Sequence, residues 1–135
     1  MARMLMGPLE RAVVVENPDP GLDELLASCG IEAHRLSIVP DEDELIQVLR
    51  DTRAHVLFKR SRVPVTRKIV ESCPDLFAVQ LCCIGDDSVD KDACADHGVL
   101  VFNDPVSNGR SVVEMAIAHL ISLSRRFYET DSVCR

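Results

Sequence analysis

Short apolar segments alternate with segments of helical periodicity along most of the chain. The apolar segments are rich in β-branched residues and mostly continuous, which is typical of strands buried on both faces of a parallel sheet. They cover residues 12–15, 31–36, 55–58, 77–81 and 99–102. Helical spacing of apolar residues predicts helices at 22–29, 40–49, 65–72 and 89–96. This alternation indicates parallel strands joined by crossover helices.

Five strands with intervening helices predict an α/β fold with a flavodoxin-like, doubly wound, five-stranded parallel sheet of order 2-1-3-4-5. After a polar boundary at 103–110, a long C-terminal crossover helix is predicted at 111–127. Its apolar residues wrap more than half of the helix, which is wider than one sheet face covers. We therefore expect a domain at 12–110 and a helix at 111–130 that packs on something further. The alternative is a helix buried in the domain's own core.

The charge balance and the length of the apolar runs disfavour two classes of partner. The chain has 22 acidic and 15 basic residues and a formal net charge of −7, which repels a polyphosphate backbone. Its apolar runs fall short of the roughly 18 residues that a membrane span needs, and its first residues lack a signal-like stretch. We expect no nucleic-acid partner, no membrane span and a cytoplasmic location.

The six cysteines are scattered and are expected to be reduced, because nothing in the sequence indicates export. Cys94 and His97 have a C-x-x-H spacing. A structural zinc site normally has two paired ligand clusters, so no metal is predicted. A thiol-redox role for Cys82 and Cys83 is a further hypothesis, although vicinal cysteines pair only with strain.

Basic residues follow the third predicted strand. Parallel sheets bind ligands outside the carboxyl ends of their strands, so the loops there carry the candidate chemistry. The segment Lys59, Arg60, Ser61 and Arg62 offers guanidinium forks that bind carboxylate or phosphate, together with a hydroxyl donor. In an acidic chain this segment predicts a local anion site; the alternative is a solvated charged loop.

The loop after the fourth strand contains Ile84 and Gly85. A glycine lets the backbone approach a ligand closely, and exposed N–H groups can bind a carboxylate. The alternative is a turn that leads into a helix capped by Asp87 or Ser88.

The loop after the fifth strand contains Asn108, whose amide can orient a substrate or cap a helix. Ser111 and Glu114 have the spacing of a capping box, so the long helix is predicted to begin there. The N-terminus of that helix favours negative charge.

A glycine-rich turn for a dinucleotide is missing from the sequence. Such a turn has a G-x-G-x-x-G spacing between a strand and a helix. The six glycines stand at positions 7, 21, 30, 85, 98 and 109, never two or three apart. We therefore predict no cofactor-binding residues in this chain, and we find no serine nucleophile with elbow spacing.

Several separated motifs in these loops match one enzyme family. They are Arg60-Ser61-Arg62 before a Val-Thr helix start, Cys83-Ile84-Gly85 with Val89-Asp90, His97-Gly98-Val99, Phe102-Asn103 with Pro105, and Ser107-Asn108 with Arg110-Ser111-Val112 and Glu114. On these motifs, residues 12–130 resemble the substrate-binding domain of the D-2-hydroxyacid dehydrogenases, most of all the bacterial D-3-phosphoglycerate dehydrogenase kind.

The resemblance implies a flavodoxin-like substrate domain and an NAD-binding domain that close around a small anionic 2-hydroxy or 2-oxo acid. Hydride then passes between that acid and NAD. By position, the segment 60–62 would face the acidic groups of the substrate. The backbone of 84–85 would bind its carboxylate, and Asn108 would help to position it.

The resemblance also implies what this chain lacks. The family's catalytic arginine, glutamate and histidine lie in the NAD-binding domain and beyond it, so none is present here and the chain should be inactive alone. NAD would serve the complete enzyme and would not bind this chain. The helix at 111–130 would pack on the NAD-binding domain, and its apolar surface suggests a homodimer through residues 111–127.

The chain departs from the family pattern at several positions. Asp86 and Asp87 place two extra carboxylates beside the anion site and weaken its field. Asp104 stands in place of a small residue, and Gly109 in place of a threonine. These changes leave the physiological acid open. A stand-alone acid-binding or regulatory module is the alternative function, since a flavodoxin-like layout serves many functions.

Overall fold

A computed structural model describes residues 8–107 and 109–134 of the chain. The strands are β1 (Arg11–Val14), β2 (Glu32–Arg35), β3 (Val56–Lys59), β4 (Ala78–Leu81) and β5 (Leu100–Phe102). The helices are α1 (Gly21–Ser28), α2 (Glu42–Asp51), α3 (Arg67–Ser72), α4 (Lys91–His97), α5 (Gly109–Ser124) and α6 (Phe127–Cys134).

The five strands form one parallel sheet in the order β2-β1-β3-β4-β5, which confirms the predicted α/β, flavodoxin-like layout. Each strand lies within one residue of its predicted bounds. β3 is central: Val14 of β1 pairs with Phe58 on one side, and Lys59 pairs with Leu81 of β4 on the other. The carboxyl ends of β1, β3 and β4 therefore lie side by side.

The sheet buries apolar residues on both faces, because side chains alternate along each strand. In β1, Val13 faces the core shared with α2, α3 and α4, whereas Val14 faces the smaller core beneath α1. In β3, Leu57 and Val56 divide between the same two cores. The near-continuous apolar runs of the strands follow from this two-sided burial.

A short strand-like contact before α3 and α4 explains why these two helices begin later than predicted. α3 and α4 begin later than predicted because Val65 and Val89 form an isolated parallel bridge with each other. The two segments exchange backbone hydrogen bonds. The Val65 amide donates to the Ser88 carbonyl, and the Asp90 amide donates to the Val65 carbonyl, both at 2.8 Å. The side chain of Asp90 caps α4, so the predicted caps Asp87 and Ser88 are wrong.

The chain divides into two compact units, the first ending at Asp104 and the second beginning at Pro105. The second unit contains α5 and α6, so the helix predicted at 111–127 is two helices, with a positive φ of 51° at Arg126 between them. α5 begins at Gly109, which places Ser111 inside the helix and makes the predicted capping box wrong. Glu114 accepts a hydrogen bond from Arg110 instead.

The apolar side chains of α5 are exposed, and none of its described residues is buried. Seven of its large apolar side chains are among the exposed ones: Val112, Val113, Met115, Ile117, Leu120, Ile121 and Leu123. None of the helices in the described part of the chain has the length and apolarity that crossing a membrane requires.

The two-sided core predicts the effect of truncating a buried leucine. Leu45 of α2 is 0% exposed, so Leu45→Ala should lower the free energy of unfolding by about 3 kcal/mol, from lost apolar burial and the cavity left behind. Leu25→Ala on α1 is the matched control, because Leu25 is 60% exposed and its loss should cost under about 0.5 kcal/mol. Urea denaturation measures both; equal losses would contradict the assignment of the core.

Candidate functional site

The basic segment after β3 lies between two cavities at the carboxyl edge of the sheet. The first cavity, of about 380 Å³, is lined by the segment 60–62, by Glu16 and Asn17 after β1, and by residues 36–39 after β2. The second, of about 330 Å³, is lined by Ser61, Gly85, Asp87 and Ser88. Ser61 lines both cavities, so the loop after β3 is the wall between them.

The structure brings together most of the predicted site residues. Arg60, Ser61 and Arg62 line the first cavity, and Ser61 and Gly85 meet in the second. Ile84 is beside them and is partly exposed. Its carbonyl accepts a hydrogen bond from the side-chain Nδ2 of Asn103 at 2.9 Å. Asn108 lies outside the described residues.

The two arginines keep their guanidinium groups available to an anion. Within the described ranges, neither Arg60 nor Arg62 forms an ion pair with a carboxylate. The extra carboxylate Asp86 forms a salt bridge with Lys91 at 3.1 Å, which reduces its effect on the site. Asp87, in contrast, lines the second cavity.

Glu16 anchors the basic segment from the end of β1. Its carboxylate oxygens accept hydrogen bonds from the Arg62 amide at 3.0 Å and from the Val63 amide at 2.5 Å. Glu16 and Asn17 have positive φ angles of 63° and 49°, which is uncommon for residues other than glycine and costs some backbone energy. The sequence carried no signal for this role, because the contact spans 46 residues of chain.

Lys59 corrects the prediction of a four-residue basic loop. It is the last residue of β3, is 0% exposed, and donates a hydrogen bond from Nζ to Ser88 Oγ at 2.6 Å. Burial lowers the pKa of the Lys59 ammonium group below its usual range, while Glu16 and Cys83 act in the opposite direction. The sequence pattern placed the end of the third strand one residue earlier, at Phe58, so Lys59 was assigned to the loop.

Arg35 braces the turn that leads from β1 to α1. Its Nε and Nη2 form a two-point contact with the Asp23 carboxylate at 2.8 and 2.9 Å, and Nη1 reaches the Pro18 carbonyl at 3.1 Å. The hydrogen bond to Arg35 lowers the pKa of Asp23. This contact joins the end of β2 to the turn and supports one side of the first cavity.

The turn between β1 and α1 does not offer the donors that a dinucleotide needs. Pro18 and Pro20 have no N–H group, and the Gly21 amide already donates to the Asp19 side chain at 2.8 Å. The Leu22 amide donates to the Asp19 carbonyl at 3.1 Å. A pyrophosphate at this helix end would also meet acidic side chains, so the turn does not fit a dinucleotide.

The cysteines do not form a metal-binding arrangement in the described part of the chain. Cys73 and Cys94 are buried in the core, and Cys82 is half-buried at the end of β4. Burial raises the pKa of the Cys82 thiol, so the sulfur is held in its protonated, less reactive form. Across residues 8–107 and 109–134, no group of three or more potential ligands could hold a metal ion.

The fold is a flavodoxin-like α/β domain, and its candidate site lies at the carboxyl ends of the central strands, where parallel sheets bind ligands. Residues 12–135 match the family model for the catalytic domain of the D-isomer specific 2-hydroxyacid dehydrogenases. The chain belongs to this family.

Curated relatives of this chain are named as D-3-phosphoglycerate dehydrogenases. A D-3-phosphoglycerate dehydrogenase of Escherichia coli K12 is 38% identical over 102 residues, covering 76% of this chain and 24% of the relative. D-3-phosphoglycerate dehydrogenase 2 of Saccharomyces cerevisiae is 40% identical over 96 residues, covering 71% and 20%. The chain therefore spans about a quarter or less of the length of these relatives.

A solved structure agrees with the fold. The 2-hydroxyacid dehydrogenase of Ketogulonicigenium vulgare Y25 superposes with a TM-score of 0.71 at 23% identity, covering 91% of this chain and 38% of that one. At this identity the similarity supports the fold alone.

The anchoring role of Glu16 can be tested amide by amide. Glu16→Ala should speed hydrogen exchange at the Val63 amide, because that buried donor loses its charged acceptor, and should lower stability by about 2 kcal/mol. The Val65 amide, which donates to the Ser88 carbonyl, is the internal control: its exchange should speed up no more than the loss of global stability requires, and exchange at Val63 should speed up more. NMR-detected exchange measures both amides; unchanged exchange at Val63 would refute the anchor.

Proposed function

We propose that this chain is the substrate-binding portion of an NAD-dependent D-2-hydroxyacid dehydrogenase of the phosphoglycerate dehydrogenase type. Alone it binds a small anionic 2-hydroxy or 2-oxo acid and does not catalyse hydride transfer. The observation that supports this most directly is the position of Arg60, Ser61 and Arg62 between two cavities, with Gly85 facing Ser61 across the second.

The chemistry of these residues suits a short acid with two negative groups. Arg60 and Arg62 supply permanent positive charge and forked donors for a carboxylate or phosphate. Ser61 supplies a hydroxyl donor, and Gly85 brings backbone close to the ligand without a side chain in the way. In the complete protein, Asn108 is assigned to orienting the acid.

The absence of a dinucleotide cradle in the described turn after β1 supports assigning NAD binding to the part of the full-length protein that this chain does not include. The substrate domain would run over residues 12–110. The helix region 111–130 would pack on the NAD-binding part. We place the complete enzyme in the cytoplasm, without nucleic acid as a partner.

Calorimetric titration tests the binding half of this proposal. The chain should bind 3-phosphoglycerate and should not bind NADH. Arg60→Ala should weaken binding of the acid by about 10- to 100-fold, because it removes a charge-assisted contact. Arg50→Ala is the matched control: Arg50 also lines a cavity, with Cys73 and Asp75, and should leave the affinity unchanged.

The same titration can overturn the proposal. NADH binding by this chain would contradict the assignment of NAD binding to the part of the full-length protein that this chain does not include. Equal binding of the acid by the wild type and Arg60→Ala would contradict the site. Oxidation of NADH by the purified chain with any 2-oxo acid would contradict its inactivity alone.

We further propose that the exposed apolar side of α5 joins two copies of this chain when no NAD-binding part covers it. Contiguous exposed apolar surface is unfavourable in water and promotes association. Leu120 is 64% exposed near the middle of the helix, so Leu120→Arg should shift a dimer to the monomer in sedimentation velocity. Leu25→Arg on α1 is the control and should keep the dimer. A wild-type chain that stays monomeric at high concentration would refute this assembly.

A further inference from the structure

We propose that Lys59 is a positioning residue of the anion site and that binding of an anion is coupled to uptake of a proton by its side chain. This inference rests on the proposed function, because it concerns the same site. It assigns a role to a buried cation that does not itself contact the substrate.

Lys59 joins the two loops that form the second cavity. Its side chain leaves the end of β3 and donates to Ser88 Oγ at 2.6 Å, while its carbonyl accepts from the Cys82 amide, just after β4, at 2.7 Å. Ser88 lines the second cavity together with Ser61 and Gly85. The ammonium group therefore lies directly behind one wall of the anion site.

The local partner of this buried cation is neutral. Its hydrogen-bond acceptor in the described structure is the Ser88 hydroxyl, and a buried ammonium group without a close carboxylate is costly. The titratable groups that act on it are Glu16 at the end of β1 and Cys83 at the end of β4. The Glu16 carboxylate is itself bound to the Arg62 and Val63 amides.

Asp87 lines the second cavity and contributes negative charge there, whereas the other charged groups around the pocket are engaged elsewhere or repel the ammonium group. Asp86 forms a salt bridge with Lys91, and Asp90 binds the Ala93 amide at the start of α4. Arg60 and Arg62 follow in the same segment and are permanently positive. Burial therefore dominates and lowers the pKa of Lys59. An anion at the second cavity would supply the missing negative charge and raise that pKa.

The protonation state of Lys59 also decides what Ser88 can donate. A protonated ammonium group donates to Ser88 Oγ and leaves the hydroxyl hydrogen free to point toward the cavity. A neutral amine can instead accept that hydrogen and turn it away from the cavity. Protonated Lys59 therefore favours the Ser88 rotamer that donates to an anion. The proton comes from solvent buffer and stays on Nζ.

Titration calorimetry of the whole chain with 3-phosphoglycerate, between pH 8 and pH 10, tests this coupling. The phosphate is fully ionised there, so it contributes no proton of its own. Repeating each titration in buffers of different ionisation enthalpy measures the protons taken up. We expect proton uptake that increases with pH as Lys59 of the free chain loses its proton, and an affinity that falls as pH rises through the Lys59 pKa.

Lys59→Met keeps a similar length and removes the titrating group. This variant should bind without proton uptake, with about tenfold lower affinity at pH 8 and no fall toward pH 10. Ser88→Ala should retain proton uptake but bind more weakly, because the charge stays and the hydroxyl is lost. Cys82→Ser controls for thiol ionisation and should keep the wild-type profile, because Cys82 is not among the groups that act on Lys59.

Each outcome of these titrations is decisive. Wild-type binding without proton uptake would overturn the inference about Lys59 and leave the proposed function standing. So would uptake that persists in a folded Lys59→Met. If Lys59→Met does not fold, wild type and Ser88→Ala still measure the uptake and the role of the hydroxyl. No binding of the acid by the wild type would overturn the proposed function and this inference together.

Discussion

Burial of apolar side chains on both faces of one parallel sheet is the constraint on which the rest of this structure depends. Every strand must be followed by a helix that returns the chain to the same starting edge, so the loops that follow the strands lie along the opposite edge. Because β3 is central, the segment after it has a neighbour on each side. Glu16 after β1 and Ser88 before α4 are those neighbours.

Three basic residues lie together at this edge of an otherwise acidic chain. Glu16 is bound to backbone amides and Asp86 to Lys91, so both contribute less repulsion, whereas Asp87 lines the second cavity. Arg60 and Arg62 stay at the surface of the first cavity, while Lys59 contributes its charge from beneath the second. Two of these cations are permanent, and the third depends on its surroundings.

The two compact units differ in how far their apolar side chains are buried. In the first unit, strands and helices bury them in two cores on either face of the sheet. In the second, α5 exposes apolar side chains around its surface, with no buried residue among those described. Exposed apolar surface of this extent is unfavourable in water. The chain matches about a quarter of the length of its Escherichia coli relative.

The sequence by itself determined the fold class, the strand positions and the loops that carry the site, because local periodicity and β-branched runs report burial on a regular element. It also placed Arg60, Ser61 and Gly85 at one edge. The tertiary structure alone decided that Lys59 is buried, that Glu16 anchors a loop 46 residues away, and that Val65 pairs with Val89 instead of starting a helix. These features depend on contacts between distant segments, which no local pattern encodes.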